Sequence, residues 1–233
     1  MNLVNPYRFA AGGTDPFYAN VSLLLHCDGT NGSTSFPDNS PSPKTVTAAG
    51  NAQVTTAIAK FGNGSAAFDG TGDRLDIASS SAFELNAGPY TIEFFVWFNS
   101  RAANARMVVL EGSAQSYGII LTGTGGNDLA VNLFGGANAL LATGALTGKT
   151  AQWVHIAHTS DGTTRRLFVD GMLLATSTNR AAPLGNCSIG IGGNTVRFAQ
   201  TNLNGNIDEL RVTKGVARYT ADFTPPTAAF PNS

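Results

Sequence analysis

The acidic residues and histidines are the side chains of this sequence that could perform hydrolysis. A glycosidase needs two carboxylates facing each other across the scissile bond, about 5–5.5 Å or 6.5–9.5 Å apart. Asp208 and Glu209 are adjacent, so on a strand their side chains point to opposite faces. Asp73 and Asp76 flank Arg74, which indicates turn and pairing roles. The sequence therefore predicts no catalytic carboxylate pair, and its three histidines lack a Gly-x-Ser-x-Gly partner for nucleophilic chemistry.

Aromatic side chains could instead form a sugar-binding platform, which needs an exposed ring with polar side chains nearby. Tyr117, Phe134 and Phe198 lie in Gly- and Asn-containing surroundings, and they are our candidates for carbohydrate contacts. Trp97 and Trp153 lie in apolar, strand-like segments, which favours core positions for both indoles.

Charged residues inside strand-like segments need partners when they are buried. Glu93 lies among apolar residues, so we expect a buried carboxylate with an arginine or a backbone donor beside it. Arg211 and Arg218 are the expected partners of acids such as Glu93 or Asp208.

The pair Arg165-Arg166 could be an anion site. On a strand, however, one of the two side chains faces outward and the other inward. A solvated arginine beside an internal ion pair is therefore the favoured interpretation.

The elements that position these residues are predicted to be short strands. Segments of four to eight residues, or slightly longer, rich in β-branched and aromatic types, recur between turn clusters, which is typical of a sandwich or barrel. The predicted strands are Val21–Cys27, Val54–Ala57, Ser65–Phe68, Arg74–Ile77, Tyr90–Asn99, Arg106–Glu111, Gly118–Leu121, Leu129–Phe134, Trp153–Thr159, Arg165–Val169, Met172–Ser177, Cys187–Ile191 and Gly205–Thr213. Only Ser80–Leu85 and Gly215–Tyr219 could form a helical turn.

Two local patterns indicate how these strands are arranged. Asp161-Gly162 and Asp170-Gly171 each suit a tight turn with positive φ at both positions, so residues 153–177 should form an antiparallel meander. Residues 91–98 are apolar on both faces apart from Glu93, which predicts a central strand covered on each side.

Composition narrows the class of protein. The 233 residues carry a net charge of −1, so the sequence does not have the excess of basic residues that is typical of nucleic-acid binding. Only 12% of residues are charged, against about 25% in typical domains. This depletion is typical of contact surfaces, and equally of Gly-, Asn- and Thr-rich sandwiches. No stretch approaches about 18 apolar residues, so no membrane insertion is expected.

The two cysteines, Cys27 and Cys187, allow a single bridge. Residues 1–20 lack a basic start followed by an apolar run, so we expect no secretory signal and favour two buried free thiols.

Both ends of the sequence differ from its middle. Residues 1–20 form a predicted N-terminal arm whose aromatic residues must be buried somewhere. These assembly residues are Tyr7, Phe9, Phe17 and Tyr18. The arm could dock on its own sandwich or, as we slightly prefer, on a neighbouring subunit. The rest, residues 21–233, is predicted to be one sandwich domain, including an extended Pro-rich tail at residues 221–233 pinned by Phe223 and Phe230.

Six ordered motifs resemble one known group of proteins. They are Leu23–Gly29 (LLLHCDG), Lys60–Asp73 (KFGNGSAAFDGTGD), Tyr90–Trp97 (YTIEFFVW), Trp153–Ala157 (WVHIA), Leu167–Gly171 (LFVDG) and Gly205–Tyr219 (GNIDELRVTKGVARY). Together they are similar to the concanavalin A-like lectin/glucanase superfamily, in the laminin-G-like branch found in bacteriophage virion proteins. The resemblance covers about residues 21–231.

The resemblance implies an all-β fold, a two-sheet antiparallel jelly-roll sandwich. It also implies sites to look for. Glucanases of the superfamily carry Glu-x-Asp-x-x-Glu on one strand, and this sequence has no such string. Relatives often hold one Ca²⁺ at the rim through oxygen ligands, for which Asp28, Asp69 and Asp73 are the candidates here. The alternative, which we favour, is that these aspartates close their own turns.

Fold alone does not settle function. Our first hypothesis is a non-enzymatic phage virion protein, such as a head decoration, tail or fibre module. It would be assembled in the host cytoplasm, exposed on the particle, and joined by its arm to other virion proteins or to further copies of itself. The alternative is a carbohydrate-binding module that attaches to host-surface glycans, and a glycoside hydrolase is the least favoured.

Overall fold

Two antiparallel sheets form the protein. The computed structural model describes residues 13–85, 88–112, 116–134, 138–178, 185–193 and 201–233, apart from the side chains of residues 133, 134, 138 and 139. Within these ranges the strands are β1 (Val21–Leu25), β2 (Val46–Ala49), β3 (Gln53–Thr55), β4 (Ser65–Asp69), β5 (Arg74–Ser80), β6 (Pro89–Ser100), β7 (Arg106–Glu111), β8 (Ser116–Thr122), β9 (Asp128–Phe134), β10 (Asn138–Ala142), β11 (Trp153–Asp161), β12 (Arg165–Val169), β13 (Met172–Ser177), β14 (Cys187–Ile191) and β15 (Asn204–Lys214). Short 3-10 turns occupy Tyr18–Asn20, Ser81–Phe83 and Thr124–Gly126.

The two sheets stack as a jelly-roll sandwich, which confirms the predicted fold class. Sheet A has the order β13-β12-β11-β6-β15-β4-β3, with β1 also paired to β15. Sheet B has the order β10-β9-β8-β7-β14-β5-β2. The core lies between them, because alternate residues of each strand point to the facing sheet. On β6 these inward residues are Ile92, Phe94, Val96 and Phe98.

All thirteen predicted strands overlap a strand of the structure, and β6 lies in the middle of sheet A as expected. β2 and β10 were missed. Both are terminal strands of sheet B, and alanines make up much of their sequence, which weakens the strand signal. The helical turn predicted in Ser80–Leu85 is present as Ser81–Phe83, whereas Gly215–Tyr219 forms none.

Residues 153–177 form the predicted meander, but its two turns differ. Asp170 (φ 49°) and Gly171 (φ 80°) both have positive φ, as expected for the β12–β13 turn. Asp161 does not, so the prediction is wrong for the β11–β12 turn. There the Asp161 carboxylate accepts hydrogen bonds from the backbone N–H groups of Thr163 and Thr164, both at 2.8 Å, and closes a longer loop.

The outer face of sheet A carries a buried ion cluster. Glu93 accepts two hydrogen bonds from Arg211, at 3.0 and 2.8 Å, as the sequence predicted. Asp15 accepts a further one from Arg211, at 2.9 Å, and two from Arg218, at 3.0 and 2.7 Å. Tyr219 donates to the second oxygen of Glu93 at 2.8 Å. All four ionic side chains are fully buried, so two acids neutralise two arginines beneath the chain termini.

Residues 13–20 pack on their own sandwich. Tyr18 joins a small apolar cluster with Val21 and Phe230, and its hydroxyl donates to the Asn39 carbonyl at 2.7 Å. Phe17 lies under the guanidinium of Arg218. Both side chains remain partly exposed, so their packing on their own sandwich covers only part of each ring, and docking of the arm on a neighbouring subunit stays a prediction. Tyr7 and Phe9 lie outside the described residues.

The two ends of the described chain also meet. The Asp15 N–H donates to the Ser233 carbonyl at 2.6 Å, so the N-terminal segment and the tail hold each other over sheet A.

Cys27 and Cys187 are both buried and unbridged, which confirms the prediction of free thiols. Among the described residues, no helix has the length and apolar character that crossing a membrane requires.

Candidate functional site

One row of cross-strand partners crosses the outer face of sheet A. Gln53, Ala67, Asn206, Trp97 and Trp153 are successive cross-strand partners on β3, β4, β15, β6 and β11. Directly opposed residues of an antiparallel ladder share a face. With strands about 4.8 Å apart, the row is about 19 Å long.

The two tryptophans of this row are half-buried and do not belong to the core cluster. The prediction that they are core residues is therefore wrong. Their ring centroids lie 6.0 Å apart at 64°, so they form one aromatic surface. The reason is alternation, because Phe94, Val96 and Phe98 occupy the inward positions of β6 and turn Trp97 outward. A partly exposed indole offers an apolar face and an N–H donor to a ligand.

Next to this row lies a polar cleft of about 700 Å³. Loop and strand-end residues supply its polar side chains. They are Thr34, Asn51, Gln53, Asp69, Asn99 and Asn204. Each amide carries both a donor and an acceptor, a combination that matches hydroxyl groups, which also do both. The cleft therefore suits a polyhydroxylated ligand better than an apolar one.

Asp73 shapes one wall of the cleft. Its carboxylate is 1% exposed and accepts hydrogen bonds from the backbone N–H groups of Asn51, at 2.5 Å, and Asp69, at 2.8 Å. Gly50 approaches so closely that a Cβ there would lie 2.5 Å from this carboxylate. The loops on either side of the cleft are thus joined by one buried acid.

The three predicted metal ligands do not converge. Asp28 accepts from the N–H groups of Asn63, at 2.6 Å, and Gly64, at 3.1 Å, which precede β4. Asp69 and Asp73 lie at and beyond the other end of β4, a strand about 13 Å long between its end residues. Across the described ranges, no group of three His, Cys, Asp or Glu residues could hold a metal ion. These side chains close turns, and they do not form a calcium cage.

The predicted sugar-binding aromatics have different positions from those expected. Tyr117 is 3% exposed, and its hydroxyl lies 3.1 Å from that of Tyr90 inside the sandwich, so it offers no ring to a ligand. Its position is set by β8, where Tyr117, Ile119 and Leu121 alternate inward. Phe198 and the side chain of Phe134 lie outside the described residues.

The carboxylates of the predicted adjacent pair have separate partners. Asp208 accepts from the backbone N–H groups of Lys60, at 2.7 Å, and Phe61, at 3.2 Å. Glu209 lies 2.8 Å from Nδ1 of His26 and adopts a positive φ of 51° in a β-bulge. Burial raises the pKa of Asp208 to about 7, with the Glu209 charge adding to the effect. The two acids do not face one gap.

Asp76 and Glu111 form the arrangement nearest to a carboxylate pair on sheet B. Their partners on the intervening β14 are Gly190 and Ser188, so their Cα atoms are about 12 Å apart. The Arg74 Nε donates to both oxygens of Asp76, at 3.1 and 3.0 Å. Burial raises the pKa of Asp76, and the charge of Arg74 opposes that rise.

Comparison with known proteins places this geometry in a family. A model of the concanavalin A-like lectin/glucanases superfamily (Laminin_G_3) matches residues 69–218. No curated protein matches the sequence. Among solved structures, domain 4 of AbnA, a GH43 extracellular arabinanase from Geobacillus stearothermophilus in complex with arabinotriose, is similar with a TM-score of 0.63. It is 17% identical, over 85% of this chain and 94% of that domain.

Toxin binding domains are also similar. The binding domain of Paraclostridial Mosquitocidal Protein 1 has a TM-score of 0.64 and 12% identity, over 87% of this chain and 51% of its own. The binding domain of Botulinum Neurotoxin DC in complex with SialylT has a TM-score of 0.56 and 14% identity, over 87% of this chain and 50% of its own. This chain thus spans about half the length of these toxin domains. Such low identities establish the shared fold and nothing further.

Proposed function

The chain belongs to the concanavalin A-like lectin/glucanases superfamily, and from that premise we propose that it is a non-enzymatic carbohydrate-binding module. Its ligand lies along the Trp97–Trp153 row and enters the adjacent cleft. The observation that carries the proposal is the pair of adjacent, partly exposed indoles, beside which lies a cleft lined by side chains that could bind hydroxyls.

The chemistry of the row favours a neutral glycan. None of its five members is ionisable, and the cleft beside it contributes amides, a hydroxyl and the carboxylate of Asp69. Indole faces pack on the apolar C–H face of a sugar ring, while amide groups bind its hydroxyls. Asn206, in the middle of the row, is 3% exposed and donates to the Ser65 hydroxyl, so a ligand would contact the indoles on one side of it and Gln53 with the cleft on the other. Contacts at both ends of the row favour an oligosaccharide over a monosaccharide.

Glycan-array binding followed by calorimetry tests the proposal, with the variants Trp153→Ala and Gln53→Ala. Each lost contact should weaken binding, by at least about five-fold for the indole, because an aromatic contact contributes about 1 kcal/mol beyond area burial. Thr176→Ala, an exposed position on β13, is the matched control and should bind as wild type. If the wild-type protein binds no glycan on the array, the proposed function is rejected. Binding that survives both variants would reject this site.

We further propose that the module is displayed on a bacteriophage particle, as a head, tail or fibre component. Support comes from the motif resemblance and the low charge of the chain. Because Phe17 and Tyr18 pack on their own sandwich, the contacts to other virion proteins or to further copies would come from residues 1–12.

Deleting residues 1–12 tests this placement, because it removes the proposed contacts and leaves Asp15 in its cluster. The shortened protein should remain folded, bind glycan as before, and fail to assemble in light scattering or particle incorporation. Incorporation equal to that of the full chain would rule the arm out as the attachment device.

A further inference from the structure

Arg165 is a buried arginine for which the chain provides no counter-ion. It is 7% exposed and begins β12, where its neighbours Leu167 and Val169 point into the core. Its guanidinium lies between the sheets, 5.8 Å from the ring centre of Tyr117. The internal ion pair expected from the sequence is therefore absent among the described residues. Arg166 faces outward and pairs with Asp161 at 2.8 Å, as expected.

The missing partner cannot come from elsewhere in the sequence. All fifteen Asp and Glu residues lie within the described ranges, and none of the ion pairs found there involves Arg165. Its Nη1 is buried without a hydrogen-bond partner in the part of the chain described. By contrast, the still more deeply buried Arg211 and Arg218 are neutralised by Glu93 and Asp15.

The groups around Arg165 are neutral and rich in hydroxyls. Ser177, Ser160 and Tyr90 share its inner-face row, as successive cross-strand partners on β13, β11 and β6. Tyr117 completes the cluster from the facing sheet. The site thus combines one guanidinium with four hydroxyls at one end of the sandwich.

His158, at the base of this cluster, stays uncharged. Burial, together with the positive charge of Arg165, lowers its pKa to about 3. Its Nδ1 lies 2.9 Å from the Arg166 carbonyl and must donate to it, so Nε2 accepts from the Tyr90 hydroxyl at 2.9 Å. The Tyr90 oxygen in turn accepts from Tyr117. This fixed chain of hydrogen bonds contains no negative charge that could balance Arg165.

A buried arginine cannot escape its charge by losing a proton. Water could satisfy its N–H groups but could not neutralise it, and burying an unpaired charge is strongly unfavourable. We propose that Arg165, with the surrounding hydroxyls, binds a small oxyanion, either free or as the carboxylate, sulfate or phosphate group of a larger ligand. The planar fork of a guanidinium matches such oxygens. The limited exposure admits a single anionic group and not a whole sugar ring.

This site is separate from the glycan row. Arg165 pairs with Ser160 near one end of β11, whereas Trp153 begins the other end, about 23 Å away. The two proposals can therefore fail independently.

The test is anion-dependent thermal unfolding and calorimetry with sodium phosphate, sulfate and acetate, at ionic strength held constant with chloride. Wild-type protein should show a saturable rise in Tm and a measurable heat of binding. Arg165→Met should lose both, and Arg165→Lys should weaken binding at least ten-fold because a point charge replaces the fork. The matched control is Arg166→Gln, which removes the outward arginine and should retain the wild-type affinity.

The three anions distinguish the sources of the group. A response to acetate alone indicates a carboxylate ligand, and a response to phosphate or sulfate indicates a tetrahedral one. A rise in Tm that is linear in salt and equal in Arg165→Met and wild type would be the general effect of excluded salts and would overturn the proposal. If Arg165→Met does not fold, Arg165→Lys decides, since an unchanged affinity in that variant equally overturns it.

Discussion

Replacing Asp15 by Asn should destabilise the whole sandwich, although this residue lies within the N-terminal arm, residues 1–20. Asp15 is 4% exposed and accepts three hydrogen bonds from two guanidiniums. The substitution preserves size and removes the charge. Glu93 then remains as the single carboxylate facing Arg211 and Arg218.

The magnitude follows from the cost of an uncompensated buried charge. Removing one partner of a buried ion pair costs about 3–5 kcal/mol. With an entropy of unfolding of about 2.1 cal/mol/K per residue, a chain of 233 residues should lose about 6–10 °C in Tm. Urea unfolding at neutral pH should give a lower midpoint at an unchanged slope, because the folded surface is the same.

Asp222→Asn is the matched control for this experiment. Asp222 also accepts a hydrogen bond, from the Leu173 N–H at 2.8 Å, but it is exposed and should cost less than about 1 kcal/mol. A loss below about 1 kcal/mol for Asp15→Asn would refute the reasoning, because the two arginines would then not depend on this acid. Deletion of residues 1–12 should spare stability, whereas deletion of residues 1–20 should cost at least as much as the point substitution.

Three further predictions concern other parts of the molecule. Because burial raises the pKa of Asp208 to about 7, the folded state binds more protons than the unfolded state between about pH 4 and 7. The free energy of unfolding should therefore fall by up to about 4 kcal/mol as the pH rises from about 4 to about 7. Urea titrations of Asp208→Asn at several pH values should lack this fall. Gly171→Ala should destabilise by more than about 1 kcal/mol, because φ is 80° and the new Cβ would lie 1.9 Å from the Phe223 carbonyl oxygen. Wild-type protein should release no reducing sugar from polysaccharides, and turnover abolished by Asp76→Asn or Glu111→Gln would instead identify a hydrolase.

Each of these has an outcome that contradicts it. If the free energy of unfolding of Asp208→Asn still falls as the pH rises from about 4 to about 7, another group must be responsible for the fall. For the turn, Gly144→Ala is a comparison at a similar φ of 68°, where the nearest atom to the new Cβ would be the Thr147 hydroxyl oxygen at an ordinary contact distance of 3.7 Å. Equal losses of stability at both positions would leave no role for the clash with Phe223.

Strand positions could be predicted because they depend on local pattern, as in the alternation of β6. Whether Trp97 points inward or outward could not be predicted in the same way, because it depends on which of the two apolar faces of β6 packs against the other sheet. Period-two alternation separates Trp97 from Phe94, Val96 and Phe98 but does not say which set is inward. The inward position of Tyr117 on β8 had the same ambiguity.

Partners distant in sequence were the hardest to predict. Glu93 was expected to have a cationic partner, with Arg211 and Arg218 as candidates, because a buried acid between apolar neighbours requires one, and it pairs with Arg211. The contact between Asp15 and Arg211 was not predicted, because Asp15 lies in an irregular segment 196 residues from Arg211, with no periodicity around it. The same reasoning that found Glu93 failed for Arg165, because it assumed that every inward charge has a partner within the chain.

The outward residues of β6 differ in how far other parts of the chain cover them. Glu93 lies beneath the chain termini and is fully buried. Phe95, two positions on, is covered by Phe61 at a ring distance of 5.4 Å. Trp97, about 13 Å from Glu93 along the strand, is covered only in part. One end of β6 is thus covered by the chain termini, and the other end is only partly covered, as the proposed glycan site requires.

This division predicts that the two ends of β6 act separately. Loosening the termini through Asp15→Asn should lower stability without changing glycan affinity in protein that remains folded. Trp153→Ala should weaken glycan binding at a smaller cost in stability than a core substitution, because the residue is partly exposed and lies outside the core. Equal changes in both properties for either variant would mean that the outer face of sheet A responds as one unit, and that the covered end is part of the binding site.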